Sequence, residues 1–278
     1  MPLRHQDTKK TSSEINFVSL WLRGKMIVYF LSLSTLTFSQ SKKITSIEIA
    51  SVQSAYVDRA GDLYVLQKDN ALKKFDIHGK LVGEQILNSP TTFDPRDGAR
   101  LFYYSQASQR FSFFSQETRQ EFSVEQHYAI DPILVCSSGD NQVWVLDRSD
   151  WSLKRINPSQ SKVIVEALID QKQFSKSPEF TFIREYQNFL FMIEKNSGIL
   201  IFNSLGSQIK KIETTEIGYL NFLGEELYYK KDDRLLFYDL FDASTQEVSV
   251  DPTCKFALLT DARMYLIYEN RVDIFENE

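Results

Sequence analysis

Residues 57–82 read VDRAGDLYVLQKDNALKKFDIHGKLV, a run of short apolar segments separated by polar turns. Extended at both ends, the stretch divides into four strands: SAYVD (54–58), DLYVLQ (62–67), ALKKFD (71–76) and KLVGEQIL (80–87). The KDN step (68–70) and the IHGK step have the turn chemistry of hairpins. The central segment LYVL is apolar at consecutive positions instead of alternating, which predicts a strand buried on both faces. A four-stranded antiparallel unit with two apolar faces must be covered by further units.

Such units recur along the chain. The corresponding runs are LYVL (63–66), LFYY (101–104), VWVL (143–146), LFMI (190–193), LYYK (227–230) and MYLI (264–267). Their aligned aromatics, Tyr64, Phe102, Trp144, Phe191, Tyr228 and Tyr265, are 38, 42, 47, 37 and 37 residues apart. Ten to twelve residues later each unit closes a further strand, as at Phe75-Asp76, Phe202-Asn203 and Tyr238-Asp239, where the polar residue is suited to open a turn. Pro90, Pro132, Pro178 and Pro252 stand 12 or 13 residues before four of the aromatics. Proline lacks a donor and favours extended geometry before it, so it suits the beginning of a strand.

The sixth unit has FALLT, MYLIY and RVDIF, and the sequence then reaches Glu278 without a fourth strand. KKITSIEIA (42–50) precedes the first full unit and supplies it. The expected fold is all-β: a six-bladed β-propeller of four-stranded antiparallel blades, its ring closed by the N-terminal strand 42–50, with residues 41–278 as a single domain. The segment 57–82 resembles a blade of the NHL-like six-bladed propellers, and the chain resembles exported propellers of Bacteroidetes-type bacteria over about residues 42 to 278. That resemblance implies a fold and leaves the activity open, because propellers carry many functions.

Before the repeats, MIVYFLSLSTLTF (26–38) is an uncharged apolar stretch behind Arg23 and Lys25, followed by the polar SQSKK. This is the pattern of a secretory signal peptide over residues 1–40. Thirteen residues fall short of the roughly 20 that span a bilayer. A spanning helix and a buried N-terminal helix are the other two readings. The initiating methionine is Met1 or Met26, and cleavage is expected near Ser39–Gln40 or Gln40–Ser41. Export, to the periplasm or the exterior, is the expectation.

Composition narrows the class. The chain of 278 residues is 42% hydrophobic, with 21 Phe and 13 Tyr, enough to build a large core and exclude global disorder. Two cysteines exclude a disulfide scaffold, and Cys136 and Cys254 are expected as free, buried thiols. Of 32 basic and 37 acidic residues, five and two precede residue 41. The remainder carries a formal net charge of −8, which argues against nucleic acid as a partner.

Chemistry is sparse. The three histidines, His5, His78 and His127, are too few and too scattered for a multi-histidine metal site. Asp131, Glu179 and Asp251 lead into blades three, four and six. Under a calcium-dependent ester or lactone hydrolase reading they would be metal ligands at the channel mouth, as in propeller hydrolases. Loop lengths give the remaining signal. EALIDQKQFSKSPE (166–179) is the longest connection, and EQHYAIDP (125–132) and DRSDW (147–151) belong to the same blade and face. His127, Tyr128, Arg148, Trp151 and Phe174 form the candidate binding patch, since aromatics and Arg anchor interfaces. The competing reading packs Trp151 and Phe174 inward between blades. The expected function is a non-catalytic, cofactor-free binding module for an envelope or extracellular protein or peptide. A carbohydrate-binding propeller, with Trp151 and Tyr128 as stacking faces, is a further alternative.

Overall fold

The computed structural model describes residues 42–115, 117–139 and 141–277; the stretch read as a signal peptide lies outside them. Six four-stranded antiparallel sheets follow one another along the chain and form the six blades. In blade one the strands are Val52–Val57, Leu63–Gln67, Ala71–Phe75 and Leu81–Ile86. Blade six contains Phe256–Leu259, Arg263–Ile267 and Arg271–Glu276, and its fourth strand is Lys43–Glu48. That strand pairs antiparallel with the last one, Glu48 opposite Arg271 and Lys43 opposite Phe275. The closure expected from the sequence is therefore the one observed.

The core is divided into six apolar clusters, each between two neighbouring blades. Blades three and four share one around Trp144, Leu153, Met192 and Phe202. First and last blades share another, in which Val52, Leu63 and Val65 meet Leu258, Tyr265 and Val272. Second strands are buried on both faces: every residue of Leu63–Gln67, Leu101–Ser105 and Val143–Asp147 is buried. Fourth strands lie outermost, and Leu81–Ile86 is mostly exposed. All six aligned aromatics are at most 1% exposed. Each buried aromatic or aliphatic side chain contributes on the order of 2 kcal/mol, so the repeat that marks the sequence also carries the core.

Local turns follow the residues that were expected to open them. Asp76 Oδ1 accepts the N–H groups of His78 and Lys80, both at 2.9 Å. Asn203 Oδ1 accepts those of Leu205 and Ser207, both at 3.0 Å. Pro132 heads the first strand of blade three. One boundary shifts: SAYVD was read as 54–58, but the strand runs from Val52 to Val57. Asp58 instead turns inward and accepts the N–H groups of Ala60 and Asp62.

Candidate functional site

The first strand of each blade starts on one face of the ring, here the upper face, where the inter-blade connections and second hairpin turns also lie. All five candidate binding residues map to that face of blades three and four, but they do not form one patch. His127 and Arg148 are exposed, with Arg148 Nε donating to Asp131 Oδ2 at 2.7 Å. Tyr128 is 4% exposed and belongs to the core between blades two and three. Trp151, at 9%, packs into the core between blades three and four, its ring centroid 5.7 Å from that of Phe180. Phe174 is half-buried beside it and meets Phe180 edge-on at 5.9 Å. Neither Trp151 nor Tyr128 offers an open ring face for stacking a sugar.

The three acids proposed as metal ligands are each engaged locally. Asp131 pairs with Arg148. Glu179 pairs with Lys195 at 2.9 Å. Asp251 accepts hydrogen bonds from Thr253 and, at 3.0 Å, from the Tyr268 hydroxyl. Among the described residues, no group of three or more His, Cys, Asp or Glu side chains could hold a metal ion.

What the upper face does present is a groove. A cavity of ≈ 470 Å³ crosses blades three to five and is lined by Phe174, Lys176, Asn196, Lys211, Thr214 and Lys231, among others. The 3-10 turn Gln171–Gln173 sets its wall, because Asp170 accepts the Lys172 N–H at 3.0 Å and leaves Phe174 at the turn's end. Two carboxylates line it against three lysines, and one of these, Glu194, is 2% exposed and turned to the N–H groups of Glu179 and Asn196. Lys211 lies 3.8 Å from Glu213, so among the described residues the groove's unpaired charge is that of Lys176 and Lys231 against the turned-in Glu194, with one aromatic side chain at its edge.

A second arrangement lies in the central channel, where a charged layer crosses from blade two to blade five. Asp94 is bound bidentately by Arg96, with Nε at 3.0 and 2.8 Å from its two oxygens and Nη2 at 2.7 Å. Burial works against ionisation of Asp94, but Arg96 and then Arg184 outweigh it and hold the carboxyl at about 2. Arg96 Nη1 also donates to the Glu185 carbonyl. The Glu185 carboxylate accepts from Ser138 Oγ and Trp144 Nε1, both at 2.6 Å. Arg184 is 5% exposed and donates from Nη1 to Asn221 Oδ1 at 2.8 Å. These residues stand about forty positions apart in sequence. The local signal is the IRE triplet in TFIREY, two charges inside an otherwise apolar strand.

Both cysteines are buried and unpaired, as expected. Burial, followed by the Glu185 charge, pushes the Cys136 thiol well above its ordinary range. Burial raises Cys254 to about 11. Neither is a thiolate at neutral pH, so neither has the character of a nucleophile.

Fold and face together define a six-bladed β-propeller with a grooved upper face. No protein-family model matches the chain, and no curated protein matches it either. Among solved structures it is similar to virginiamycin B lyase from Staphylococcus aureus, at TM-score 0.55 and 12% identity, over 84% of this chain and 99% of that one. A streptogramin B lyase structure matches at TM-score 0.51 and 15% identity, over 81% of this chain and 78% of that one. The extracellular domain of BT4673 from B. thetaiotaomicron matches at TM-score 0.51 and 14% identity, over 81% of this chain but 33% of that one. At these identities the likeness is one of fold.

Proposed function

We propose that the protein is an exported, non-catalytic propeller that binds a protein or peptide on its upper face. The observation that carries this reading is the groove across blades three to five. It is open to solvent, lined by flexible polar side chains, and edged by Phe174. Such a surface suits an extended segment held by side-chain and backbone contacts, and Lys176 and Lys231 favour an acidic one. Export is supported by the charge and apolar pattern of residues 1–40 and by the fold likeness to an extracellular domain. No helix among the described residues is long and apolar enough to cross a membrane.

The test is capture from envelope and secreted fractions by the wild-type protein and by the double variant Lys176→Glu/Lys231→Glu. Both substitutions reverse charge on the groove without touching the core. A partner held by the wild type and lost by the variant supports the reading. Equal capture by both removes the groove as the site, and the absence of any partner removes the function.

A further inference from the structure

We propose that the upper end of the central channel binds a monocarboxylate with a compact apolar or aromatic body, with Arg184 as its charge partner. The first strands of blades one, two and four, together with Gly218, Tyr219 and Phe256 of blades five and six, enclose a cavity of ≈ 320 Å³. That is near the lower end of the range of small-ligand sites, about 300–1,000 Å³.

Five of the lining residues, Tyr56, Phe93, Phe182, Tyr219 and Phe256, are aromatic, and four of them are held in place by each other. Tyr56 meets Phe93 edge-on at 5.1 Å, and Tyr219 meets Phe256 at 5.0 Å. Tyr219 is further fixed across the blade boundary, since its hydroxyl donates to the Ala257 carbonyl at 2.8 Å and accepts the Ala257 N–H at 2.7 Å. A flat apolar body would meet a preformed slot without reordering these rings.

Polar groups on three lining residues, Arg184, Ser54 and Thr92, are short of partners. Arg184 lines it and has five N–H donors, of which one, the Nη1 bond to Asn221, is satisfied among the described residues. Asp94 is near enough to influence Arg184, but Arg96 occupies both of its carboxylate oxygens. Asp94 is committed to Arg96 and the Glu185 carboxylate to Ser138 and Trp144, so Arg184 has no carboxylate hydrogen-bonded to it although two acids balance the two guanidinium groups of the layer. A buried charge without a hydrogen-bonded counter-ion is costly. The hydroxyls of Ser54 and Thr92, which also line the cavity, are buried and make no hydrogen bond of ordinary geometry.

A carboxylate fits this set better than a phosphate. One unpaired guanidinium calls for one negative charge, and the planar fork of Arg matches a planar carboxylate bidentately. Arg184 is the one cationic residue among those lining the cavity, so the second charge of a dianion would have no partner there. The carboxylate could belong to a free acid or to the C terminus of a peptide whose last side chain is apolar. The two share one chemistry.

The experiment is calorimetric titration of the purified protein with phenylacetate, 3-phenylpropionate, the neutral phenylacetamide and phenylphosphonate. A tripeptide ending in Phe is added in free-acid and amidated forms. The expected result is saturable binding of a carboxylate, weakened roughly tenfold or more in the amide and in the phosphonate, as a lost charge-assisted bond requires. Arg184→Met should abolish binding while keeping cooperative unfolding, since Asp94 keeps Arg96 and no carboxylate hydrogen-bonded to Arg184 is left stranded. Gly218→Leu is the second variant. Gly218 lines the cavity and a Cβ built there meets nothing within 4 Å, so a larger residue adds bulk at the cavity wall without a clash at its Cβ, and weaker binding is expected. Binding of the acids alone assigns the site to small molecules; binding of the free-acid tripeptide and not its amide extends it to chain ends. If no carboxylate binds, if the amide binds equally, or if both variants retain wild-type affinity, the proposal is overturned.

Discussion

Trp144 Nε1 donates to Glu185 Oε2 at 2.6 Å, joining the second strand of blade three to the first strand of blade four. The same repeat position performs the same task elsewhere. In blade five the Tyr228 hydroxyl accepts the Leu259 N–H at 2.8 Å, and in blade six the Tyr265 hydroxyl donates to the Gly61 carbonyl at 2.6 Å. In these three blades the aromatic that marks the repeat fills the core with its ring and ties its blade to the next with its polar tip. Phe102 and Phe191 have no such tip, and the Tyr64 hydroxyl bonds to Asp58 within blade one.

Replacing Trp144 with Phe removes the tip, shortens the ring and leaves the Glu185 carboxylate with Ser138 alone. The expected loss is about 1–3 kcal/mol, read as a lower urea midpoint at unchanged slope. An unchanged midpoint would show that the bond contributes nothing.

Trp151 has φ 56, a left-handed conformation that the equivalent turn of blade one gives to Asn70 at φ 68. A bulky residue there costs about 1–2 kcal/mol of backbone strain, which its packing against Phe180 offsets. Trp151→Asn relieves the turn and forfeits the ring. The net expectation is a loss of roughly 2 kcal/mol with partner capture unaltered. Loss of capture at unchanged stability would return Trp151 to the binding surface.

The architecture was legible because it repeats. Tyr64, Phe102, Trp144, Phe191, Tyr228 and Tyr265 align at near-constant spacing, and the surplus strand before Val52 matches the one missing after Arg271–Glu276. The site was less legible. Tyr128 and Trp151 are loop aromatics whose direction is set by backbone angles and neighbouring blades, so placing them on one face did not expose them. The channel residues Asp94, Arg96, Arg184 and Asn221 come from three blades, and no local pattern joins them. Lys176, Lys211 and Lys231 likewise converge only after the blades are assembled.

Acid should unfold the protein through identifiable groups. Burial tends to raise the Asp147 carboxyl, but N–H groups of Ser149, Ile130 and Asp131 hold it at about 2, beside Asp94 at about 2. Both folded values lie below the unfolded range near 3.9. Their stabilisation is therefore complete above about pH 4 and is lost as pH falls toward 2. For Asp147 it amounts to on the order of 2 kcal/mol. Asp147→Asn should lower stability at pH 7 and flatten the decline between pH 4 and 2; an equally steep decline in the variant would exclude this carboxylate.

The thiols offer a direct reading of core integrity. Cys136 and Cys254 are 1% and 2% exposed. Neither should react with a disulfide-exchange reagent at pH 8 in the folded protein, and both should react in denaturant. Rapid modification of either in the native state would contradict its placement.

The upper-face binding reading is tested most directly by hydrogen exchange of the protein with and without its captured partner. Slowed exchange is expected in residues 171–176, 194–197 and 211–215, which border the groove, and no change in the turn at 76–80 on the opposite face. Protection confined to that opposite face would contradict it.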